Sequence, residues 1–150
     1  MVGASPLCRA EETVRQEGEE VVRQEEEEVV RQAGIASFYA DKFQGRKTAS
    51  GERFRQSALS AASRDLPLGA RATVTNLETG DSVEVEINDR GPFVPGRVID
   101  LTKRAAREIG ITNEKGIAPV AVEVKPESQP TQELREKVEE KAKAHAQTSP

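Results

Sequence analysis

The sequence predicts a small, mostly β domain at residues 34–125, with one short helix and a charged arm on either side. Apolar and polar residues alternate over residues 71–77 and 82–87, as they do in strands that bury one face. The charge is uneven as well, because residues 1–33 carry nine acidic and four basic residues whereas residues 34–125 carry twelve and fourteen. Only this middle segment has the density of Val, Ile and Leu that a packed core needs.

The elements of the middle segment follow from these patterns. Strands are predicted at residues 35–39, 71–77, 82–87, 98–101 and 120–124. Gly80 lies in the connection between the second and third strands, which is typical of a hairpin. Residues 103–109 favour a short helix, for which Thr102 provides an N-cap and Gly110 a C-cap. Five or six short strands and one helix indicate a small β-barrel.

The N-terminal arm, residues 1–33, contains an eight-residue repeat in three copies, which begin at Glu11, Glu19 and Glu27. Each copy places a Glu four residues before an Arg, the order that stabilises a helix by roughly a few tenths of a kcal/mol. Eight residues overshoot two helical turns by about 80°, so the valines form no continuous apolar stripe. We expect a disordered or helical spacer, with a partner-binding helix as the alternative.

The C-terminal arm, residues 126–150, begins with a linker that contains two prolines. Residues 132–146 then favour a helix, with a thin apolar line of Leu134, Val138 and Ala142. We expect this helix to lie on the surface or to extend away from the domain.

Several classes of function are disfavoured by composition. The middle segment has a net charge of only +2 and no basic run interleaved with aromatic residues, which argues against nucleic-acid binding. Cys8 is the only cysteine and His145, in the C-terminal arm, the only histidine, so no disulfide framework, metal site or cofactor is expected. No stretch is apolar enough to span a membrane. The residues before Cys8 are too few for the apolar region of a signal peptide, and we do not expect lipidation of Cys8.

Two acids stand at the ends of predicted strands. Asp89 follows the alternating run at residues 82–87 and precedes Arg90, Gly and Pro, which cannot continue a strand. Asp100 ends the next apolar run. Two carboxylates on rigid strand ends suit acid–base chemistry on a sugar or a peptide. The structural alternative is that Asp89 caps its own loop and pairs with Arg90, and that Asp100 caps the helix near Lys103.

Six ordered blocks in the middle segment carry a resemblance to a known family. They are GIASFY at 34–39, GRKTASGE at 45–52, AASRDLPLG at 61–69, VTNL at 74–77, NDRGPF at 88–93 and RVIDL at 97–101. Together they resemble the rare lipoprotein A family, over essentially residues 34–125. The resemblance implies a six-stranded double-psi β-barrel and a protein of the bacterial cell envelope, in the periplasm or associated with the outer membrane.

The same resemblance implies an activity. Relatives act as endolytic lytic transglycosylases, which cleave the bond between N-acetylmuramic acid and N-acetylglucosamine in glycan strands stripped of stem peptides and leave 1,6-anhydro ends. It implies three catalytic acids, namely Asp89, Glu52 and Asp100. Residues expected to bind the strand are Ser63, Arg90, Tyr39, Lys47 and Thr48. We expect Asp89, Glu52, Asp100 and Ser63 to line one groove.

The chain departs from the family pattern at two positions. Ser63 stands where the family has His, and a hydroxyl does not titrate near neutral pH as an imidazole does. Arg55 stands where the family has an Asp, and a nearby cation lowers the pKa of a carboxyl group. The alternative to an enzyme is therefore a glycan-binding barrel without turnover, in which Arg90, Lys47 and Tyr39 hold the strand. We expect a monomer whose arms are candidates for contacts with envelope or division-site proteins.

Overall fold

The computed structural model of the chain describes residues 29–148. Cys8 and the first two repeat copies, for which a disordered or helical spacer is predicted, lie outside these residues. The six described strands are β1 (Val30–Phe38), β2 (Ser60–Ala62), β3 (Arg71–Asn76), β4 (Ser82–Asp89), β5 (Arg97–Leu101) and β6 (Ile117–Val124). The α-helices are α1 (Lys103–Glu108) and α2 (Gln132–Thr148), and short 3-10 helices occupy Asp41–Phe43 and Pro126–Ser128.

The six strands close into a barrel in the order β1-β5-β2-β4-β3-β6. The pairs β1/β5 and β2/β4 are parallel and the other four are antiparallel. Parallel neighbours need long crossover connections, so strands that are distant in the sequence become adjacent. The predicted six-stranded double-psi β-barrel is confirmed. Strand β2, three small residues without an alternating pattern, was not among the predicted strands.

Alternating side chains fill the barrel, as the sequence pattern predicts. In β3 and β4 the inward residues are fully or nearly fully buried, as Val74, Val85 and Ile87 show. Burying each such aliphatic side chain stabilises the fold by about 1.5–3 kcal/mol. Helix α1 begins as predicted, because the Thr102 hydroxyl accepts a hydrogen bond from the amide of Ala105 at 3.2 Å.

The boundary predicted at residue 34 is wrong by four residues. Strand β1 begins at Val30, which is 2% exposed and pairs with Val124 of β6. The Arg31 guanidinium contacts the Glu123 carboxylate at 3.0 Å across the same pair of strands. Pairing with β6 therefore overrides the helical pattern of the third repeat copy, and residues 30–33 belong to the barrel.

The C-terminal segment packs on the surface of the barrel, which is one of the two arrangements expected from the sequence, and does not extend away from the domain. The side-chain amide of Gln129 accepts from the Arg71 amide at 2.7 Å and donates to the Arg71 carbonyl at 3.0 Å. Helix α2 then contacts β1, and Val138 and Ala142 are fully buried in the common core. The thin apolar line of the sequence is thus the face that fastens α2 to the barrel.

Candidate active site

One end of the barrel carries a cavity of about 500 Å³, which we call the main groove. Its walls combine acids, cations and aromatic rings. The acids are Asp89 and Asp100, and the cations are Arg46, Lys47, Arg90 and Arg97. The rings are those of Phe38, Tyr39, Phe43, Phe54 and Phe93. The structure therefore brings together six of the eight site residues predicted from the sequence: Asp89, Asp100, Arg90, Tyr39, Lys47 and Thr48.

Three hydrogen bonds fix the carboxylate of Asp89 at the end of β4. Oδ1 accepts from the backbone amides of Ala49 and Arg90, each at 2.9 Å. Oδ2 accepts from the Tyr39 hydroxyl at 2.7 Å. A carboxylate has about four lone-pair sites, so Oδ2 keeps capacity for a ligand in the groove.

The Ala49 amide is placed by a small loop at residues 45–54. The backbone amide of Thr48 donates to the Glu52 carbonyl at 2.7 Å, and the Thr48 hydroxyl donates to the same carbonyl at 2.9 Å. The Ser50 amide donates to the Asn88 carbonyl at 3.0 Å, which ties the loop to β4 beside Asp89. Thr48 is therefore a buried support for the loop at the edge of the groove.

Tyr39 lies against Asp89 from the other side, directly after β1. Its ring packs on Phe54, with 4.3 Å between the ring centroids, and on Phe43, with 5.6 Å. Burial raises the pKa of the Tyr39 phenol far above its usual range, and the hydrogen bond to Asp89 raises it further. The hydroxyl consequently stays protonated and remains a donor to Asp89.

Asp100 forms a second polar cluster in the groove. Because β1 and β5 are parallel and in register at Ser37 and Asp100, the Ser37 hydroxyl donates to Oδ1 of Asp100 at 2.5 Å. The Arg97 guanidinium forms an ion pair with the same oxygen at 2.5 Å and also donates to the Ser37 hydroxyl. Arg97 Nε is the one buried side-chain polar atom without a partner within the described part of the chain. Asp100 does not cap helix α1, since Thr102 does.

Ser63 does not line the main groove, contrary to the prediction. It is fully buried, and its hydroxyl oxygen accepts from the Leu66 amide at 3.2 Å within its own turn. Its amide donates to the Asp89 carbonyl at 3.0 Å. The Arg90 guanidinium donates to the carbonyls of Ser63 and Leu66 at 3.1 and 2.7 Å. Ser63 thus supports the backbone behind Asp89 and Arg90, and Arg90 does not pair with Asp89.

Glu52 lies in a different cavity, of about 370 Å³, together with Arg55. Its carboxylate accepts from the side-chain amide of Asn88 at 3.1 Å. Glu52 is therefore absent from the lining of the main groove, and Arg55 lies with Glu52 rather than in that groove.

Two residues that line the groove, Phe93 and Arg97, and a partner of Asp100, Ser37, were not predicted from the sequence. Phe93, at 76% exposed, is a large apolar side chain at the lip of the groove, after a cis bond between Gly91 and Pro92. It was visible in the sequence as the last residue of the NDRGPF block. Ser37 and Arg97 needed the register of β1 on β5, which no local pattern reveals.

Residues 29–144 contain no group of three or more His, Cys, Asp or Glu side chains arranged to hold a metal ion. Among the helices that the structure describes, none has the length and apolar character needed to cross a membrane.

Comparison with known proteins agrees with this architecture. The family described as lytic transglycolase matches residues 31–122. The chain is 58% identical over 93 residues to a "Probable endolytic peptidoglycan transglycosylase RlpA" of Synechocystis sp., covering 62% of this chain and 29% of that protein. It is 54% identical over 91 residues to an "Endolytic peptidoglycan transglycosylase RlpA" of Pasteurella multocida, covering 61% and 31%. The chain spans about three tenths of the length of these relatives.

A solved structure shares the fold. An expansin from Clavibacter michiganensis in complex with cellohexaose aligns with a TM-score of 0.52 and 22% sequence identity, covering 68% of this chain and 54% of that one. The family match includes both groove acids and more than half of the residues, and the chain belongs to the lytic transglycolase family.

Proposed function

We propose that this chain is an endolytic lytic transglycosylase that cleaves peptidoglycan glycan strands between N-acetylmuramic acid and N-acetylglucosamine. The observation that carries the proposal is the Asp89 carboxyl group, which is fixed by three donors and faces a groove with room for sugar rings. Membership of the family and the names of its relatives support the same activity.

In the first step, Asp89 acts as a general acid. Its protonated carboxyl group gives a proton to the oxygen that joins the two sugars, and the bond from that oxygen to C1 of the muramic residue breaks. The leaving sugar departs with a free hydroxyl group. Tyr39 holds the carboxyl group at a fixed angle, and such positioned proton transfer typically contributes about 100- to 10,000-fold to a rate.

In the second step, the Asp89 carboxylate acts as a base. It removes the proton from the C6 hydroxyl of the same muramic residue, and that oxygen bonds to C1 and closes the 1,6-anhydro ring. The proton is returned to Asp89, so the carboxyl group is restored and no water is consumed. One carboxyl group can serve both steps because it alternates between protonated and ionised forms.

The remaining groove residues bind and shape the strand. Asp100, with Arg97 and Ser37, offers a negative group beside the C1 centre, where positive charge develops when the bond breaks. Phe93 and Val94 form an exposed apolar lip, 76% and 47% accessible, on which the apolar face of a sugar ring can stack. Lys47 and Arg46 supply positive charge at the rim.

We further propose that the chain acts in the bacterial cell envelope, where its substrate lies, as a monomer. From the charge of the repeats alone, we also propose that the N-terminal arm contacts proteins at the division site.

The test uses the full chain and glycan strands that lack stem peptides. Mass spectrometry distinguishes 1,6-anhydro ends from the reducing ends of a hydrolase, which are heavier by one water. We expect anhydro ends from the unaltered chain and at least a roughly 100-fold loss in Asp89→Asn. Asp81→Asn is a matched control, because Asp81 is exposed in the β3–β4 turn and does not line the groove.

Two outcomes would contradict this function. Strand binding without anhydro ends, unaffected by Asp89→Asn, would indicate a glycan-binding barrel without turnover. Anhydro ends that persist in Asp89→Asn would assign the acid to another residue.

A further inference from the structure

A second cavity, of about 340 Å³, adjoins the main groove. Phe38 lines both cavities. Phe38 ends β1 and pairs with Leu101 at the end of the parallel strand β5, and helix α1 begins two residues after Leu101. The two cavities are therefore neighbours at the same end of the barrel, separated by one aromatic ring.

The lining of the second cavity is basic. It contains Lys103 and Arg107 from helix α1 and no acidic residue. The main groove contains four cations and two acids. The two neighbouring cavities therefore form a positively charged track. Such a track attracts a ligand that carries repeated negative charges.

The cation nearest to the main groove is free to change partners. Lys103 Nζ lies 5.8 Å from the centroid of the Phe38 ring and 3.0 Å from a carboxylate oxygen of Asp41. The Asp41 side chain is 76% exposed, and exposed ion pairs of this kind are weak and screened by salt. A ligand carboxylate above Phe38 can thus replace Asp41 at little cost.

We propose that the second cavity is a distal subsite for the glycan strand that occupies the main groove, and that Lys103 and Arg107 there bind a carboxylate of the strand. This rests on the proposed function. N-acetylmuramic acid carries a carboxyl group that is free in a bare strand and becomes a neutral amide when a stem peptide is attached. The subsite would therefore favour long, peptide-free strands over short or peptide-bearing ones.

The test compares Arg107→Gln with Arg104→Gln. Arg104 lies on the same helix, donates to the Ser57 carbonyl at 3.0 Å and lines neither cavity, so this control removes an equal charge. All proteins carry Asp89→Asn so that no strand is cleaved. Dissociation constants for a disaccharide and an octasaccharide, both free of peptide, are measured by calorimetry, and thermal denaturation verifies folding.

We expect Arg107→Gln to weaken octasaccharide binding roughly tenfold, as for loss of one charge-assisted contact, and disaccharide binding less than twofold. Arg104→Gln should alter neither. When the octasaccharide carboxyl groups are converted to methyl amides, the protein with Arg107→Gln and the protein with Asp89→Asn alone should have equal dissociation constants.

Equal weakening for both lengths, no weakening for either, or a loss that persists on the amidated strand would overturn the subsite. Equally tight binding of a single-stranded oligonucleotide of matched charge would show a general polyanion surface instead, and would also overturn it. Formation of anhydro ends by the unaltered chain is measured separately, so failure of the subsite and failure of the proposed function are distinguishable.

Discussion

The Tyr39 hydroxyl donates to Asp89 Oδ2 at 2.7 Å, although 50 residues separate the two in the chain. Tyr39 follows β1 and Asp89 ends β4, and these strands are not neighbours in the barrel. The bond therefore spans the mouth of the barrel and couples the position of the carboxyl group to closure of the fold.

Removal of this hydroxyl should slow the reaction and leave the fold intact. Tyr39→Phe keeps the ring on Phe54 and deletes one hydrogen bond to a charged group, which is worth about 1.5–3 kcal/mol. We expect kcat to fall roughly tenfold or more with KM almost unchanged. The rate of anhydro-end formation measures this, and Phe43→Leu is the control for altered ring packing. A higher KM with an unchanged kcat would contradict the positioning role.

Alkaline titration should show that the phenol resists ionisation. Tyr39 is the only tyrosine and the chain has no tryptophan, so ultraviolet tyrosinate absorbance reports this residue alone. The pKa of Tyr39 is raised in the folded state by burial and by Asp89. We expect the unfolded chain in urea to ionise near pH 10 and the folded chain only at higher pH. Ionisation at the same pH in both states would contradict the structure.

The same shift predicts a stability effect. The pKa of Tyr39 is higher in the folded chain than in the unfolded chain. The stabilisation that this residue contributes is therefore complete below about pH 10 and is lost as the pH rises from there towards the folded pKa. The free energy of unfolding should therefore decline more steeply above this pH in the unaltered chain than in Tyr39→Phe. Urea denaturation measures the free energy of unfolding at each pH. If it declines equally steeply in the unaltered chain and in Tyr39→Phe, Tyr39 is not the cause of the decline.

The Arg97–Asp100 pair should show strong coupling. Arg97→Met leaves the Asp100 carboxylate without its cation in a partly buried site and should cost about 1–3 kcal/mol of stability. The double variant Arg97→Met, Asp100→Leu should recover much of this loss, because no unpaired charge remains. A double-mutant cycle of unfolding free energies measures the coupling. Simple additivity of the two single changes would show that the pair is unimportant for stability.

Ser63→Ala tests the supporting role of a residue predicted to bind substrate. The change leaves the buried Leu66 amide without its acceptor and should cost about 1–3 kcal/mol, while strand affinity stays unaltered because Ser63 does not line the groove. Denaturation and calorimetry measure the two quantities. Normal stability with weakened strand binding would instead support the prediction that Ser63 contacts the strand.

Val138→Ala tests the attachment of the C-terminal helix. Val138 is fully buried, and truncation of a buried aliphatic side chain should cost about 1–3 kcal/mol. The adjacent Glu139 is exposed, so Glu139→Ala should be neutral. If both variants unfold at the same urea concentration as the unaltered chain, α2 does not contribute to the core.

Elements that depend on residues close together in the sequence could be predicted from sequence patterns. Alternation of apolar and polar residues predicted β3 and β4, and a threonine before a helical run predicted the start of α1. Asp89 and Asp100 could be predicted as strand-end acids for the same reason. Strand β2 could not be predicted, because its three small residues carry no alternating pattern and form a strand only by pairing with β4 and β5.

The errors share a cause, since each depended on contacts between distant residues. Helical spacing suggested an arm at residues 30–33, but pairing with β6 decides their conformation. Glu52 was predicted to share the groove because it falls at a matched family position, yet its carboxylate contacts Asn88 and lines a separate cavity. Only the folded barrel shows which cavity a loop residue lines.

Closure of the barrel has a consequence for how the protein meets other proteins. Each of the six described strands has a hydrogen-bonded neighbour on both sides, so none of them is an edge strand whose whole length is open to an incoming peptide. Side chains on the outer surface and segments beyond the barrel are therefore the more accessible surfaces for a partner. The same closure protects the strands from edge-to-edge aggregation, even though an aromatic lip is left open at the groove.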